Sequence, residues 1–167
     1  MQKEGLSLAK VTNLPALVGP TRGYRRRARL GVRSVRAKRR VLVGFREKAS
    51  NFIADIERCE VLDARIGGSL SLLAETIAAS STPDRIPQIG VAAGDDVVAI
   101  VVRHLEPLTE PDLEAWAALG PRTGWHIYLQ PKGPDSIHRI WPETGPTHLS
   151  YRIGELGLEY HFEVTDF

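Results

Sequence analysis

The chain has 167 residues, 43% hydrophobic and 25% charged, the composition of a soluble domain large enough for its own core. It holds no apolar run near the roughly 18 residues of a membrane span and no signal-peptide pattern. Its single cysteine, Cys59, excludes an intrachain disulfide, and a cytoplasmic protein is expected. A net charge of +2 hides an asymmetry: residues 1–60 carry 15 Lys and Arg against 5 Asp and Glu, whereas residues 61–167 carry 7 against 15. One end of the chain is built for an anionic partner.

Residues 1–13 contain Leu6, Leu8 and Val11 and predict a short helix, and Pro15, Gly19, Pro20 and Gly23 predict an arm or linker. Together they make residues 1–23 an appendage to a domain over residues 24–167. The first strand starts near Tyr24. In it Ala28, Leu30 and Val32 alternate with Arg27, Arg29 and Arg33, so one face packs on a core and the other presents guanidinium groups. Arg36-Ala37-Lys38 makes a turn into a second strand, Arg39–Glu47, with a third strand at Phe52–Ile56. Leu62, Ile66, Leu70, Leu73 and Ile77 form one apolar stripe and predict a helix over Asp63–Ala79, weakened by Gly67-Gly68. Ile89–Ala93 and Val97–Val102 flank Gly94-Asp95-Asp96 as a hairpin. Thr109 caps a second helix that Gly120-Pro121 stops. Strands follow at Trp125–Leu129, Ile137–Trp141, Leu149–Ile153 and Leu158–Val164. The expected class is α+β, with a mostly antiparallel sheet and about two packed helices. The chain ends at Val164-Thr165-Asp166-Phe167, directly after the last strand and with no cap or tail, which reads as a cut chain.

Between Arg22 and Arg46 there are eleven Arg or Lys residues and no acid. Apolar residues thread this run at strand spacing, so the charge is held on a folded surface, as a polyphosphate partner requires. No Gly-rich phosphate loop or strand–Gly-x-Gly–helix unit is present. The five histidines lack metal-ligand spacing, and Asp95-Asp96 occupy a turn that favours acids for backbone reasons. Cys59 alone reads as a buried small residue. The residues by themselves give an RNA- or DNA-binding α+β domain with no self-contained active site.

Three segments are more specific: Gly23-Tyr-Arg-Arg-Arg-Ala-Arg-Leu30, Val43-Gly-Phe-Arg-Glu-Lys-Ala-Ser50 and Ile53-Ala-Asp-Ile-Glu-Arg-Cys59. With His104-Leu-Glu-Pro-Leu-Thr109, Ile127-Tyr-Leu-Gln-Pro131 and Phe162-Glu-Val-Thr-Asp-Phe167 in the same order, the chain resembles the central region of the bacterial SAM-dependent RNA uracil-5 methyltransferases, nearest their ribosomal RNA branch. The resemblance implies a ribosomal RNA partner and, in the full-length family, SAM and a 4Fe-4S cluster as cofactors. The family's N-terminal barrel (TRAM), its Cys-rich segment and its methyltransferase domain are not in this chain, so the fragment alone is expected to hold no cofactor and to be inactive. By the resemblance, Cys59 matches the fourth, sequence-distant cluster ligand. Arg25, Arg26, Arg27 and Arg29 match the basic strand that faces RNA, Arg33 continues that face, and Phe167 matches an aromatic residue near the flipped uracil. A stand-alone RNA-binding module and the transfer-RNA branch are the alternatives, and Cys59 argues against the latter. Surface left open by the missing domains is expected to favour self-association.

Overall fold

A computed structural model describes residues 12, 14–16 and 18–166. Apart from Thr12, the helix expected in residues 1–13 lies outside them, as does Phe167. Gly23 N–H donates to the Glu60 carbonyl at 2.9 Å, and Arg25 bridges to Leu62. Strand β1 (Arg27–Val35) then turns through a 3₁₀ segment, Arg36–Lys38, into β2 (Arg40–Gly44). The third strand expected at Phe52–Ile56 does not form. Only a single bridge joins Arg46 to Ile53. The Ile53 side chain instead packs inward across Gly31 and Gly44, where a Cβ on Gly31 would collide with it. The segment covers the sheet rather than extending it.

The single helix expected over Asp63–Ala79 is two, α1 (Ala64–Gly67) and α2 (Leu70–Ala78). The break falls at the glycine pair. Cys59 N–H donates to the Gly67 carbonyl at 3.0 Å, and the Cys59 carbonyl occupies the space a Cβ on Gly67 would need. Glycine is therefore required at position 67 by close approach, and the helix breaks beside it, with Gly68 as its C-terminal cap. The expected hairpin forms as β3 (Gln88–Ala93) and β4 (Val98–Arg103).

Helix α3 (Glu110–Thr123) opens with a capping box between Thr109 and Asp112. It does not stop at Gly120-Pro121 as expected. Pro121 gives up one helical hydrogen bond, but Gly124, at φ +73°, closes the last turn by donating to the Gly120 carbonyl at 2.8 Å. Gly120 serves packing: the Trp141 indole lies where its Cβ would be. Strands β5 (Trp125–Gln130), β6 (His138–Trp141), β7 (Leu149–Ile153) and β8 (Leu158–Phe162) complete the chain, the last ending two residues before Val164.

The main sheet has the order β2-β1-β3-β4-β5-β6, and β7-β8 form a separate two-stranded ribbon. All pairs are antiparallel except β4–β5, which α3 connects. The class is α+β, with α2 and α3 as the packed helices. They cover one sheet face, burying Leu70, Leu73, Ile77, Trp116 and Leu119 against Leu30, Ile89, Val91, Ile100, Val102 and Ile127. On the other face, Leu149, Phe162 and Val164 of the ribbon pack on Ala92, Ala99, Val101 and Tyr128. The ribbon shields only part of that face.

A candidate nucleic-acid interface on the half-covered sheet face

Register decides which arginines of β1 remain accessible. Arg27 lies in a row with Ala92 and Ala99, beneath the ribbon. Arg29 lies one row on, beside Gly90, Val101 and Tyr128. The next row, Gly31, Gln88, Arg103 and Gln130, is clear of the ribbon. From these last two rows Arg29, Gly90, Val101, Gln88, Arg103 and Gln130 floor a cleft of about 390 Å³, walled by Lys132, Ile137, Val164 and Thr165. Gly90 on its floor leaves room between Arg29 and Val101. Three cations, Arg29, Arg103 and Lys132, share this cleft with two side-chain amides, Gln88 and Gln130.

The basic row expected from the sequence is thereby divided by location. Arg27 donates to the Asp166 carbonyl and its guanidinium sits 5.5 Å over the Phe162 ring. Burial under the ribbon pulls its pKa down, opposed by the Asp166 carboxylate. Arg26 pairs with Asp95 at 2.8 Å and lies 5.7 Å over Tyr151. Arg25 lies 5.3 Å over Phe45. Arg29 is exposed in the cleft, and Arg33 is exposed further along β1 on the same face. Arg25 to Arg27 thus hold neighbouring elements, whereas Arg29 and Arg33 face outward. Phe167 lies outside the described residues.

Acidic groups near this end fasten loops. Asp95 accepts from the Arg152 backbone N–H at 2.8 Å, and that bond together with Arg26 holds its carboxyl below the usual carboxylate range. Arg65 is clamped by Asp63 and also donates to the Gly94 carbonyl at 2.7 Å. Asp112 is buried and accepts from Ser81 N–H and Oγ and from Thr109 N–H and Oγ1. Burial pushes its pKa up, but these four donors outweigh burial and hold it at about 2. Among the histidines, His104 is buried with Nδ1 2.7 Å from the Glu106 carbonyl, and burial with Arg139 lowers the pKa of His126.

Cys59 is buried in the main core. An iron–sulfur cluster takes four thiolates. This chain has one cysteine, and no three ligating side chains come together as a metal site among the described residues. One cysteine by itself cannot hold such a cluster. No helix among the described residues is long and apolar enough to cross a membrane.

Sequence reasoning missed Arg103, Lys132, Gln88 and Gln130. Their signal was polarity just beyond apolar runs: Arg103 follows Val98–Val102, and Gln130 follows Trp125–Leu129. What placed them together was strand pairing, which no local pattern encodes.

No family model matches the chain. It is 49% identical over 154 residues to the 23S rRNA (uracil(1939)-C(5))-methyltransferase RlmD of Hahella chejuensis, covering 92% of this chain and 34% of that protein. It is 46% identical over 154 residues to the RlmD of Alcanivorax borkumensis, covering 92% and 35%. A solved tRNA (uracil-54, C5)-methyltransferase of Pyrococcus abyssi, in complex with S-adenosyl-L-homocysteine, matches with a TM-score of 0.56 at 18% identity, over 89% of this chain and 37% of that one. The latter likeness shows a shared fold. The chain spans about a third of the length of the curated relatives it matches. By sequence it is similar, over nearly all of its own length, to one part of the bacterial ribosomal RNA uracil-C5 methyltransferases named RlmD.

Proposed function

We propose that this chain is the RNA-recognition part of a SAM-dependent ribosomal RNA uracil-C5 methyltransferase, acting in the cytoplasm on ribosomal RNA. The observation that carries this reading is the cleft, where Arg29, Arg103 and Lys132 surround Gln88 and Gln130. Guanidinium and ammonium groups take phosphates, which position a strand. Side-chain amides present both donors and acceptors to the edges of an unstacked base. The apolar walls Ile137 and Val164 suit the face of such a base. Arg33 adds a cation on the same face of β1, beyond Gly31 and the Ile53 side chain that packs over it, and Phe167 would stand near the flipped uracil. Methyl transfer would be the work of SAM and residues in the part of the relatives that this chain does not span. Cys59 would be one of four cluster ligands in a full-length enzyme, the other three lying outside this chain.

The test is salt-dependent binding of a short single-stranded ribosomal RNA segment to the 167-residue chain. The variant Arg29→Gln with Arg103→Gln should lower the slope of log affinity against log salt by roughly 1.4, at about 0.7 per phosphate for single strands. Arg122→Gln, on the exposed last turn of α3, should leave it unchanged. Equal losses from both would place the RNA elsewhere.

A further inference from the structure

The described surface carries a second concentration of cations, away from the cleft. Residues 33–40 hold five Arg or Lys and no acid. Arg33, Lys38, Arg39 and Arg40 are all exposed around the turn that joins β1 to β2. One carboxylate, Asp55, engages Lys38 at 2.6 Å and also Arg40. The Arg33 and Arg39 side chains make no hydrogen bond or ion pair with the described residues, although Asp84 lines the same shallow depression as Arg33.

We propose that this hairpin tip, through Arg33 and Arg39 with Lys38 and Arg40 beside them, is a second RNA contact that grips the phosphate backbone of a double-helical segment. It deepens the RNA-recognition reading above and rests on it.

Three observations select a duplex backbone. The tip has charge without a stacking surface: residues 33–40 include no aromatic side chain, and their apolar members are Val35 and Ala37. Single strands are held by aromatic platforms as well as by charge, whereas duplex RNA is held largely through its backbone and shape. Arg39 adopts φ +49°, a left-handed conformation that glycine would take at less cost. A charged side chain thus occupies the hairpin position where the backbone least favours one. Finally, Arg33 lies on the same face as Arg29, four residues further along β1. At about 3.3 Å per residue this puts it roughly 13 Å from Arg29, with the turn further still. A base in the cleft and a phosphate at the tip therefore belong to different nucleotides. A looped-out base with an adjoining helix fits both stations.

The test compares two probes on the 167-residue chain: a short single strand, and a stem-loop carrying the same single-stranded segment. The tip variant is Arg33→Gln with Arg39→Gly, the glycine matching the backbone at that position. It should lower the salt slope for the stem-loop by roughly two, at about 0.9 per duplex phosphate, and lower it less for the single strand. The single variant Arg33→Gln should lower it by about one, which covers the case that the double variant fails to fold. Equal loss on both probes, or no loss on the stem-loop, overturns the proposal. So does displacement of the stem-loop by a poly-glutamate peptide at equal charge concentration, which would make the tip an acidic-protein site. The cleft variant reports separately: Arg29→Gln should weaken both probes, and if it weakens neither, the cleft reading fails while the tip result stands.

Discussion

The Arg27 guanidinium closes on the carbonyl of Asp166, a contact across 139 residues that ties the start of β1 to the end of the chain. With Phe162 under the same guanidinium, it fastens the β7–β8 ribbon to the main sheet. A charge-assisted hydrogen bond and a cation–π contact at a half-covered site together contribute about 1–2 kcal/mol. Arg27→Ala should lower urea stability by that amount and speed amide exchange at Tyr160 and Phe162. Arg122→Ala, exposed on α3 away from the ribbon, should do neither. Unchanged exchange in the Arg27 variant would mean that the ribbon is held by its apolar contacts alone.

Asp112 makes stability depend on pH at the acid end. Its folded pKa, about 2, lies below the ordinary 3.8. The unfolded chain therefore binds a proton more readily, and the contribution of Asp112 is fully present above pH 4 or so. It falls away as pH drops through 3.8 toward about 2. Asp112→Asn should flatten the stability curve across that window and cost about 1–3 kcal/mol at neutral pH, because an amide replaces one of the two acceptor oxygens that serve the Thr109 cap and Ser81. Denaturation curves at several pH values check this, and parallel acid losses in both proteins would assign the effect to other carboxylates.

At Gly120 the Trp141 ring fills the space of a side chain. Gly120→Ala should therefore destabilise by about 1–3 kcal/mol, although alanine is the better helix former. Truncating the ring as well, Trp141→Leu, should relieve most of the clash. A double-mutant cycle with no coupling would contradict this reading.

Cys59 should react with a thiol reagent only as fast as the core opens, because it is buried among Leu62, Ile66 and their neighbours. The purified chain should also fail to transfer a methyl group from labelled SAM to unmodified ribosomal RNA, since its one thiol is in the core. Rapid labelling under native conditions, or turnover, would show an accessible nucleophile.

Period and punctuation carried much of the architecture. Alternation in β1, the continuous apolar run at Val98–Val102 beside a Gly-Asp-Asp turn, and the stripe from Leu62 to Ile77 placed strands and a helical segment where they stand. Errors came where tertiary contacts overrode local signals. Gly67 had to admit the Cys59 carbonyl, so one helix became two. Gly120 had to admit Trp141, so an apparent helix stop lies inside α3. Ile53 had to cover Gly31 and Gly44, so an apparent strand became a lid on the sheet. The cleft was only partly legible: Arg29 stood in a conspicuous basic run, but its companions come from strands about 60 to 100 residues later, joined by register alone.

The alternation in β1 also couples its outward cations to its inward core. Ala28, Leu30 and Val32 point to the helices because Arg29 and Arg33 point away. Inserting a single residue between Leu30 and Gly31 would turn Arg33 toward the helix layer and Val32 toward solvent. An insertion of two would keep both faces and slide Arg33 about 7 Å along the sheet. Spacing between the cleft and the hairpin tip can therefore change only in paired steps, so that reach along this strand is quantised by the pleat.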